Sequence, residues 1–443
     1  MSLLLNRESS GLNWLQFAAT AVLTVTCAHN ARADNWPQWR GPSGNNSTSE
    51  RELPIVWAEN RGLLWKTPLP AWGNSTPAIW EDAIFLTSHV DDERLVLLRI
   101  NKADGQIVWT QQVGTGSTPR EAPKRLKTKF HQLHNFATPS PVTDGSTVAV
   151  HFGNGELAAY DFDGNRIWQR NLQEDFGEYS IWWGHANSPV IHNDLVISVC
   201  MQDSLADLLD EPRESYVVAQ DLKTGRTRWR TLRMTKASAE ECDAYTTPLL
   251  HEHNGRLELI VMGGNQLDAY NPDTGKQLWY LPNLVGGRTV TGPTVGNELI
   301  FTTIGMRGPL LAVRLGGSGE LSYRDIAWKY RTGTPDSVSP VVWNNLVFTI
   351  TDNGIARCFN AEKGFLKWKA RLPGNYKATP LLSEGRLFFL NTEGLCTVIS
   401  AAPRYDKLTE NQLDDQTIAS PAASDGKIFI RGRRSLYCIG RGT

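Results

Sequence analysis

From residue 77 onward, the chain repeats one pattern of polar turn residues and apolar runs. A proline preceded by Ser, Thr or Gly recurs eight times, at Pro77, Pro141, Pro189, Pro248, Pro293, Pro340, Pro380 and Pro421. In seven of these eight repeats an apolar residue seven positions later opens a β-rich run, with turn-forming pairs such as Asp144-Gly145 in between. Turn pairs flanked by apolar runs predict tight hairpins, so each repeat is expected to begin with two antiparallel strands.

The second half of most repeats is a strand, a glycine turn and a tryptophan. The tryptophan follows the glycine by four residues in Gly105/Trp109, Gly164/Trp168, Gly225/Trp229, Gly275/Trp279 and Gly364/Trp368. We expect the glycine to supply a positive φ in the turn and the indole to pack between neighbouring sheets. A four-stranded unit of about 40 to 60 residues is the period of a propeller blade.

The two ends of the chain complete each other. The last repeat, which runs from Pro421 to Ile439, contains three strand-like runs and lacks the glycine–tryptophan half, whereas the strand-like 63–66 precedes the first repeat. Pairing the two would remove exposed sheet edges. The pattern therefore predicts an all-β, eight-bladed β-propeller of four-stranded antiparallel blades, closed by an N-terminal strand that joins the last blade. Seven blades stay open as an alternative, because the fifth and seventh repeats are degenerate.

The N-terminus has the pattern of an export signal. Arg7 precedes an apolar-leaning run over 12–28, and Ala31-Arg32-Ala33 has the small-x-small form of a cleavage site. We expect a signal peptide at 1–33, an N-terminal extension at 34–62, a single propeller domain at 63–443, and a periplasmic or secreted protein. A retained membrane anchor is the alternative to cleavage; after signal removal no integral span is expected.

Composition narrows the possible partners and cofactors. With 45 Lys and Arg against 46 Asp and Glu, the net charge is −1, so no general positive field attracts nucleic acid. Of the six cysteines one lies in the predicted leader, and the remaining odd number is widely spread, which argues against a disulfide framework. No paired Cys or His pattern indicates zinc.

Two repeats, at 219–229 and 269–279, follow an A-x-D/N-x-x-T-G-x-x-x-W style. They resemble the pyrroloquinoline-quinone-like β-propeller repeats of quinoprotein alcohol dehydrogenases and of the propeller lipoprotein of the outer-membrane barrel-assembly machinery. The resemblance implies, for the enzymes, adjacent cysteines, a tryptophan beneath the quinone, and Glu, Asn and Asp ligands around calcium. This sequence has no adjacent cysteines. No cofactor is therefore expected, and pyrroloquinoline quinone with calcium enters only under an oxidoreductase alternative.

The four longest links, at 111–135, 170–187, 202–215 and 231–245, are all of the kind that emerge on one side of a propeller, here called the long-loop face. Binding residues concentrate on loops held by a rigid scaffold. The candidate ligand- or partner-binding residues at the tunnel mouth are His134, Trp182, Trp183, His185, Asp243 and Tyr245.

Each candidate has a structural interpretation beside the functional one. Trp182 and Trp183 either anchor a partner or fill the loop packing. His134, His185 and Asp243 each shortly precede a repeat proline, so they could converge in the channel, although ordinary hydrogen-bonded histidines are favoured and no metal ligand is assigned. The basic run Lys124, Arg125, Lys127 and Lys129 is interpreted as solvated.

These observations predict an exported, non-catalytic β-propeller that acts as a scaffold for a protein partner or an envelope polymer. A pyrroloquinoline-quinone-dependent oxidoreductase is one alternative, and a carbohydrate-binding propeller that uses exposed tryptophans is another. The fold alone does not decide among them.

Overall fold

Eight sheets follow one another along the part of the chain that the structure, a computed structural model, describes. The described residues are 35–91, 93–116, 132–181, 183–202 and 214–441, all within one compact unit, Ala33–Thr443. No helix in these ranges is long and apolar enough to cross a membrane. The one α-helix described, α1 (Leu172–Phe176), has five residues.

The strands are short and mostly buried. The first half of the chain contains β1 (Ser47–Thr48), β2 (Leu63–Pro68), β3 (Ala78–Trp80), β4 (Ala83–Val90), β5 (Arg94–Asn101), β6 (Ile107–Thr115), β7 (Val142–Thr143), β8 (Thr147–His151), β9 (Glu156–Asp161), β10 (Arg166–Asn171), β11 (Val190–His192), β12 (Leu195–Cys200), β13 (Tyr216–Asp221) and β14 (Thr227–Leu232). The second half contains β15 (Leu249–His253), β16 (Arg256–Gly263), β17 (Gln266–Tyr270), β18 (Gln277–Leu281), β19 (Thr294–Gly296), β20 (Leu299–Thr303), β21 (Leu310–Arg314), β22 (Gly319–Glu320), β23 (Ile326–Tyr330), β24 (Val341–Trp343), β25 (Leu346–Ile350), β26 (Ile355–Asn360), β27 (Leu366–Arg371), β28 (Leu381–Ser383), β29 (Arg386–Leu390), β30 (Leu395–Ser400), β31 (Lys407–Gln412), β32 (Ala422–Ser424), β33 (Lys427–Arg431) and β34 (Ser435–Ile439).

Each blade is built on an antiparallel sheet of four strands. The first strands of neighbouring blades contact one another at the centre in three pairs, β3 with β7, β7 with β11, and β19 with β24. Blade 1 is β3–β6, blade 2 is β7–β10, blade 3 is β11–β14, and blade 4 is β15–β18. Blade 5 is β19–β21 with β23, blade 6 is β24–β27, and blade 7 is β28–β31. The predicted number of eight blades is confirmed.

The ring closes without a covalent link. Blade 8 consists of β32–β34 and the N-terminal strand β2, which lies antiparallel to β34 with Leu63 opposite Ile439 and Trp65 opposite Cys438. The closure predicted from the two incomplete ends of the chain is confirmed. It removes the free edges that an open array of sheets would present.

Two additional strands explain the irregular repeats. β22 lies parallel to β18 and extends blade 4, so the chain between β21 and β23 is lengthened and Trp328 of blade 5 is displaced in the sequence. β1 lies parallel to β28, the first strand of blade 7.

The repeated tryptophans join most of the blades to the next blade. Six indoles donate Nε1–H to a backbone carbonyl of the following blade, as Trp168 does to Leu222 at 2.8 Å and Trp109 to Phe162 at 2.9 Å; the others are Trp65, Trp229, Trp328 and Trp368. The donor is satisfied while the ring fills the space between sheets, which suits an aromatic residue with one polar atom.

The glycine of the repeat lies under the indole of the preceding blade. Gly225 has φ 71°, and a Cβ built there would lie 2.7 Å from the ring of Trp168. Gly105 has φ 75° and is placed in the same way under Trp65 across the closure. Only glycine combines a positive φ with so close a ring. The spacing of four residues thus places one blade's glycine and tryptophan in two different interfaces.

Candidate functional site

A ring of hydroxyl side chains joins the blades around the centre. The residue before the repeat proline bonds to its counterpart in the next blade: the N–H of Thr76 donates to Oγ of Ser140 (2.9 Å), that of Ser140 to Oγ of Ser188 (2.9 Å), and that of Ser188 to Oγ1 of Thr247 (3.1 Å). Gly292 to Ser339 (3.0 Å) and Thr379 to Ser420 (3.0 Å) repeat the bond. We call these residues the hydroxyl ring.

The N-terminal segment, residues 35–62, crosses the face opposite the long loops, here called the short-turn face. Trp36 forms a bridge with Ile79 of blade 1, and the carbonyl of Pro37 accepts from the N–H of Thr143 in blade 2. At the other side of the centre, Nη1 of the fully buried Arg40 donates to the carbonyl of Pro293 at 2.8 Å. The segment therefore connects blades that are far apart in the sequence.

A central cavity of about 330 Å³ lies between the hydroxyl ring and the long-loop face. It is lined by Trp39, Asn74, Leu133, His134, Thr138, Ser140, Trp183, Ala186, Ser188, Glu240, Tyr245, Thr247, Arg288, Val290, Ser337, Lys377, Ile418, Ala419 and Ser420. The indole of Trp39 comes from the N-terminal segment and lies 3.0 Å from the Cβ position of Gly292, a ring residue. Trp39 thus forms the floor of the cavity.

Charged side chains at the rim are paired. Arg288 lies 3.0 Å from Asp336 and 3.5 Å from Glu240. The ammonium of Lys377 lies 2.6 Å from Asp352 and 3.0 Å from Oγ of Ser337.

The two carboxyls of this group titrate differently. Burial raises the pKa of Asp336, which Arg288 offsets only in part. Burial also opposes ionisation of Asp352, but Lys377 and the hydrogen bonds from Ser337 outweigh it and lower the pKa of that carboxyl. Asp352 is therefore an ionised, fully engaged anchor for Lys377.

Three of the sequence-predicted residues meet in the cavity. His134, Trp183 and Tyr245 all line it. The backbone of Tyr245 is held by its N–H, which donates to the carbonyl of Thr289 (2.8 Å) in the next link, and burial raises the pKa of its phenol. Asp243 is fully buried behind it, with Oδ2 3.5 Å from the Tyr245 hydroxyl. Trp182 and the basic run of residues 124–129 lie outside the described residues.

His185 belongs to a separate buried cluster between blades 2 and 3. Its ring centroid lies 4.3 Å from that of His151 and 5.2 Å from that of Tyr179. The Tyr179 hydroxyl lies 3.1 Å from Nε2 of His151 and 3.5 Å from Sγ of Cys200. The structure therefore does not bring His185 to His134 at the cavity.

The oxidoreductase alternative requires a site for a quinone and a calcium ion. A hard cation needs several oxygen ligands at one point. Among the described residues that line the cavity, Glu240 is the one acidic side chain, and it lies beside Arg288. Within the described ranges no group of three His, Cys, Asp or Glu side chains could hold a metal ion. This set does not fit a calcium-bound quinone.

Sequence reasoning missed several residues of the cavity. Arg288 and Lys377 stand in no motif, and Trp39 comes from a segment that was expected only to precede the propeller. The sequence shows the hydroxyl residues before the prolines as a repeat. It does not show their hydrogen bonds, because each bond joins residues of two successive blades. Their position on the innermost strand was the signal that could have indicated a ring around the centre.

Comparisons with known proteins agree with this architecture. A family model described as outer membrane protein assembly factor BamB matches residues 47–211 and 323–428, more than half of the chain. Among curated proteins, tetrathionate hydrolase of Acidithiobacillus ferrooxidans is 22% identical over 183 residues, which is 37% of this chain and 35% of that protein. The match therefore spans about a third of the length of that relative.

Solved structures with the same fold include BamB and two dehydrogenases. BamB from Moraxella catarrhalis superimposes with a TM-score of 0.58 at 12% identity, covering 85% of this chain and 99% of that one. Quinohemoprotein alcohol dehydrogenase from Comamonas testosteroni gives 0.64 at 12% identity, covering 92% and 81%. A europium-containing methanol dehydrogenase gives 0.63 at 11% identity, covering 91% and 90%. At these identities the likeness concerns the fold, and the family match shows that this chain belongs to the PQQ-like, BamB-type β-propeller family.

Proposed function

We propose that the protein is an exported, non-catalytic propeller that binds a protein partner on its long-loop face. The observation that carries the proposal is the asymmetry of the disc: the N-terminal segment crosses the short-turn face, whereas the cavity opens among the long links. Trp183 and Tyr245 stand at this opening. Aromatic side chains at the edge of a concave site are typical anchors of protein interfaces.

Exposed apolar side chains also lie on the long-loop face, outside the opening of the cavity. Met234, Val285 and Met306 are 77%, 63% and 47% exposed and lie on links of the long-loop face in blades 3 to 5. Val285 and Met306 are on adjoining links, since the N–H of Met306 donates to the carbonyl of Gly286. Methionine adapts its shape to a partner, and grouped exposed apolar residues mark interaction sites.

The charged side chains at the rim of the cavity favour a binding function over a catalytic one. Its carboxyls and cations are engaged with one another, as in the pairs Arg288–Asp336 and Lys377–Asp352. A general base must be close to its ordinary protonation range and available to substrate, whereas Asp352 has a lowered pKa and several donors. The description of the matched family as an assembly factor also favours a protein partner.

Photo-cross-linking in cells that produce the protein tests the proposal. A photoreactive amino acid at Val285 (63% exposed) is expected to capture one discrete protein. The matched control places the photoreactive amino acid at Phe365 (65% exposed), which lies in a turn of the opposite face. We expect this probe to capture no protein. Replacing Trp183 and Tyr245 with Ala in the Val285 probe should reduce the captured amount at least about tenfold, because hot-spot aromatics contribute about 2 kcal/mol or more each.

Equal capture from both faces, or none at Val285, would contradict partner binding on the long-loop face. Capture of a glycan-bearing polymer that depends on Trp183 would favour the carbohydrate-binding alternative instead. Replacing Trp80 and Trp343 of the short-turn face with Ala, in the same Val285 probe, controls for a general loss of structure. This variant should capture as much protein as the unsubstituted probe.

A further inference from the structure

The hydroxyl ring presents hydrogen-bond donors to the central cavity. Ser140, Ser188, Thr247 and Ser420 line the cavity, and the oxygen of each already accepts a backbone N–H from the preceding blade. In the described part of the chain these four hydroxyls form hydrogen bonds as acceptors, and none donates its own proton to a described residue. Because one lone pair is engaged and the proton is not, the ring offers mainly donors to the space it encloses.

Two buried guanidinium groups flank the ring. Arg40 donates from Nη1 to the carbonyl of Pro293 and from Nη2 to that of Pro340 (3.3 Å), the residues that follow ring positions Gly292 and Ser339. On the opposite side, Arg431 contacts Ser75, which lies between the cavity residue Asn74 and ring residue Thr76, and donates to Oγ of Ser88 at 3.2 Å.

Neither guanidinium is neutralised by the residues described. Both side chains are 1% exposed and bond to backbone carbonyls and hydroxyls, with no carboxylate among their described partners. Burial alone lowers the pKa of Arg40 and of Arg431 to about 9, so both stay protonated at neutral pH. A buried charge without a counter-charge is costly unless another group compensates it. Two buried positive charges without a described carboxylate partner therefore lie next to hydroxyl groups that can donate into the cavity.

We propose that the central cavity binds a small organic oxyanion, a carboxylate, phosphate or sulfonate compound whose charged end is directed into the hydroxyl ring above Trp39. The oxyanion accepts from the ring hydroxyls and lies in the field of Arg40 and Arg431. A volume of about 330 Å³ is at the small end of ligand pockets, which span about 300–1,000 Å³. The site thus admits a compact molecule and not a folded protein segment.

The floor and rim add selectivity for such a molecule. Trp39 offers an apolar surface for the organic part, while Arg288 and Lys377 at the rim are balanced by Asp336, Glu240 and Asp352. The ring's hydroxyl donors favour an oxyanion over a neutral alcohol or amide, because hydrogen bonds to charged acceptors are about twice as strong as neutral ones. This inference does not rest on partner binding, since the partner would engage the links around the mouth and the anion the channel below them.

Thermal-shift and calorimetric titrations of the full chain test the inference. The probes are inorganic phosphate, succinate, citrate and benzenesulfonate, with succinamide as the neutral comparison and sodium chloride at matched ionic strength. We expect a saturable rise in melting temperature with at least one of these oxyanions and none with succinamide. Ser188→Ala removes one cavity donor and one blade-to-blade bond, and should weaken binding about tenfold. Ser339→Ala removes only the corresponding bond, because Ser339 is not among the described lining residues.

The comparison of the two variants separates binding from stability. Wild-type affinity in Ser339→Ala with weakened affinity in Ser188→Ala supports the site. The proposal is overturned by equal weakening in both variants, or by the absence of any oxyanion effect beyond that of sodium chloride. If no protein is captured at Val285 while oxyanions still bind, only the partner proposal is refuted. If a protein is captured but no oxyanion binds, only the oxyanion proposal is refuted.

Discussion

His151 and His185 show how burial decides the chemistry of a single residue. Both rings are 1% exposed and lie against each other at a tilt of 39°, and burial lowers the pKa of His151 to about 3. Burial, and then the neighbouring His151, hold the pKa of His185 well below its ordinary value. Both imidazoles are therefore neutral in the folded protein, and their contacts with Tyr179 are structural packing between blades 2 and 3.

This cluster predicts a loss of stability in mild acid. The unfolded histidines take up protons below about pH 6.5, whereas the folded ones do not until far lower pH. The free energy of unfolding should therefore be at its full value above about pH 6.5, and should fall by about 1.4 kcal/mol per pH unit for each histidine as the pH drops toward 4. Urea unfolding at several pH values measures this slope.

Two variants assign the slope to the cluster. His151→Asn removes one titrating group and should make the dependence on pH shallower by up to one proton. Tyr179→Phe removes the hydroxyl that bonds His151 and should lower stability at every pH without changing the slope. An unchanged slope in His151→Asn would show that other groups control the acid response.

At the scale of elements, the interface between blades is set by one glycine and one indole. The glycine turn of a blade accepts the tryptophan of the blade before it, and the indole N–H bonds a carbonyl beside that turn. The local sequence predicts each blade, because hairpin turns and alternating apolar residues are short-range features. It does not reveal which indole meets which glycine, since the two lie in successive repeats.

A pair of glycine variants tests this interface. Gly225 (φ 71°) lies under Trp168, whereas Gly255 (φ 75°) has no described atom within 4 Å of its Cβ position. Gly255→Ala should cost about 1 kcal/mol for the left-handed backbone alone. Gly225→Ala should cost about 1–3 kcal/mol more, because the Trp168 ring must move. Urea unfolding compares the two, and equal costs would contradict the packing role.

At the scale of the whole molecule, closure by β2 turns a row of blades into a ring. The contact between blade 8 and blade 1 includes Trp65, whose indole donates to the carbonyl of Lys102 at 3.1 Å. The same bond joins blades 6 and 7 through Trp368 and Ala402. The strands that carry the two tryptophans differ in one respect: β27 follows β26 of its own blade through a short turn, whereas β2 is held to β34 of blade 8 only by non-covalent pairing.

Closure therefore predicts different consequences for equivalent substitutions. Trp65→Ala and Trp368→Ala should each lower the free energy of unfolding by about 3 kcal/mol. Only Trp65→Ala should also cause association that depends on concentration, because loosening β2 exposes the edge of β34 to other molecules. Light scattering after size-exclusion chromatography measures this, and association of both variants to the same extent would contradict the special role of closure.

The candidate site was predictable in part. The long-loop face, His134, Trp183 and Tyr245 follow from loop length and from the distance of each residue to a repeat proline. Asp243 was expected to reach the channel but is fully buried behind Tyr245, and His185 turns into a blade interface. A shift of one or two positions along a link changes the direction in which a side chain points. The sequence pattern does not fix positions in a link that closely.

The amino-acid sequence by itself determined the repeat and the closing strand and favoured eight blades over seven, because turn residues, apolar alternation and the glycine–tryptophan spacing act over a few residues. The tertiary structure alone decided what surrounds the centre. Trp39 and Arg40 approach it from the N-terminal segment, and Arg288, Lys377 and Arg431 from three different blades or links. These side chains share one environment only when the eight inner strands meet around one axis. There, burial and hydrogen bonds between blades set their charge and their hydrogen-bond partners.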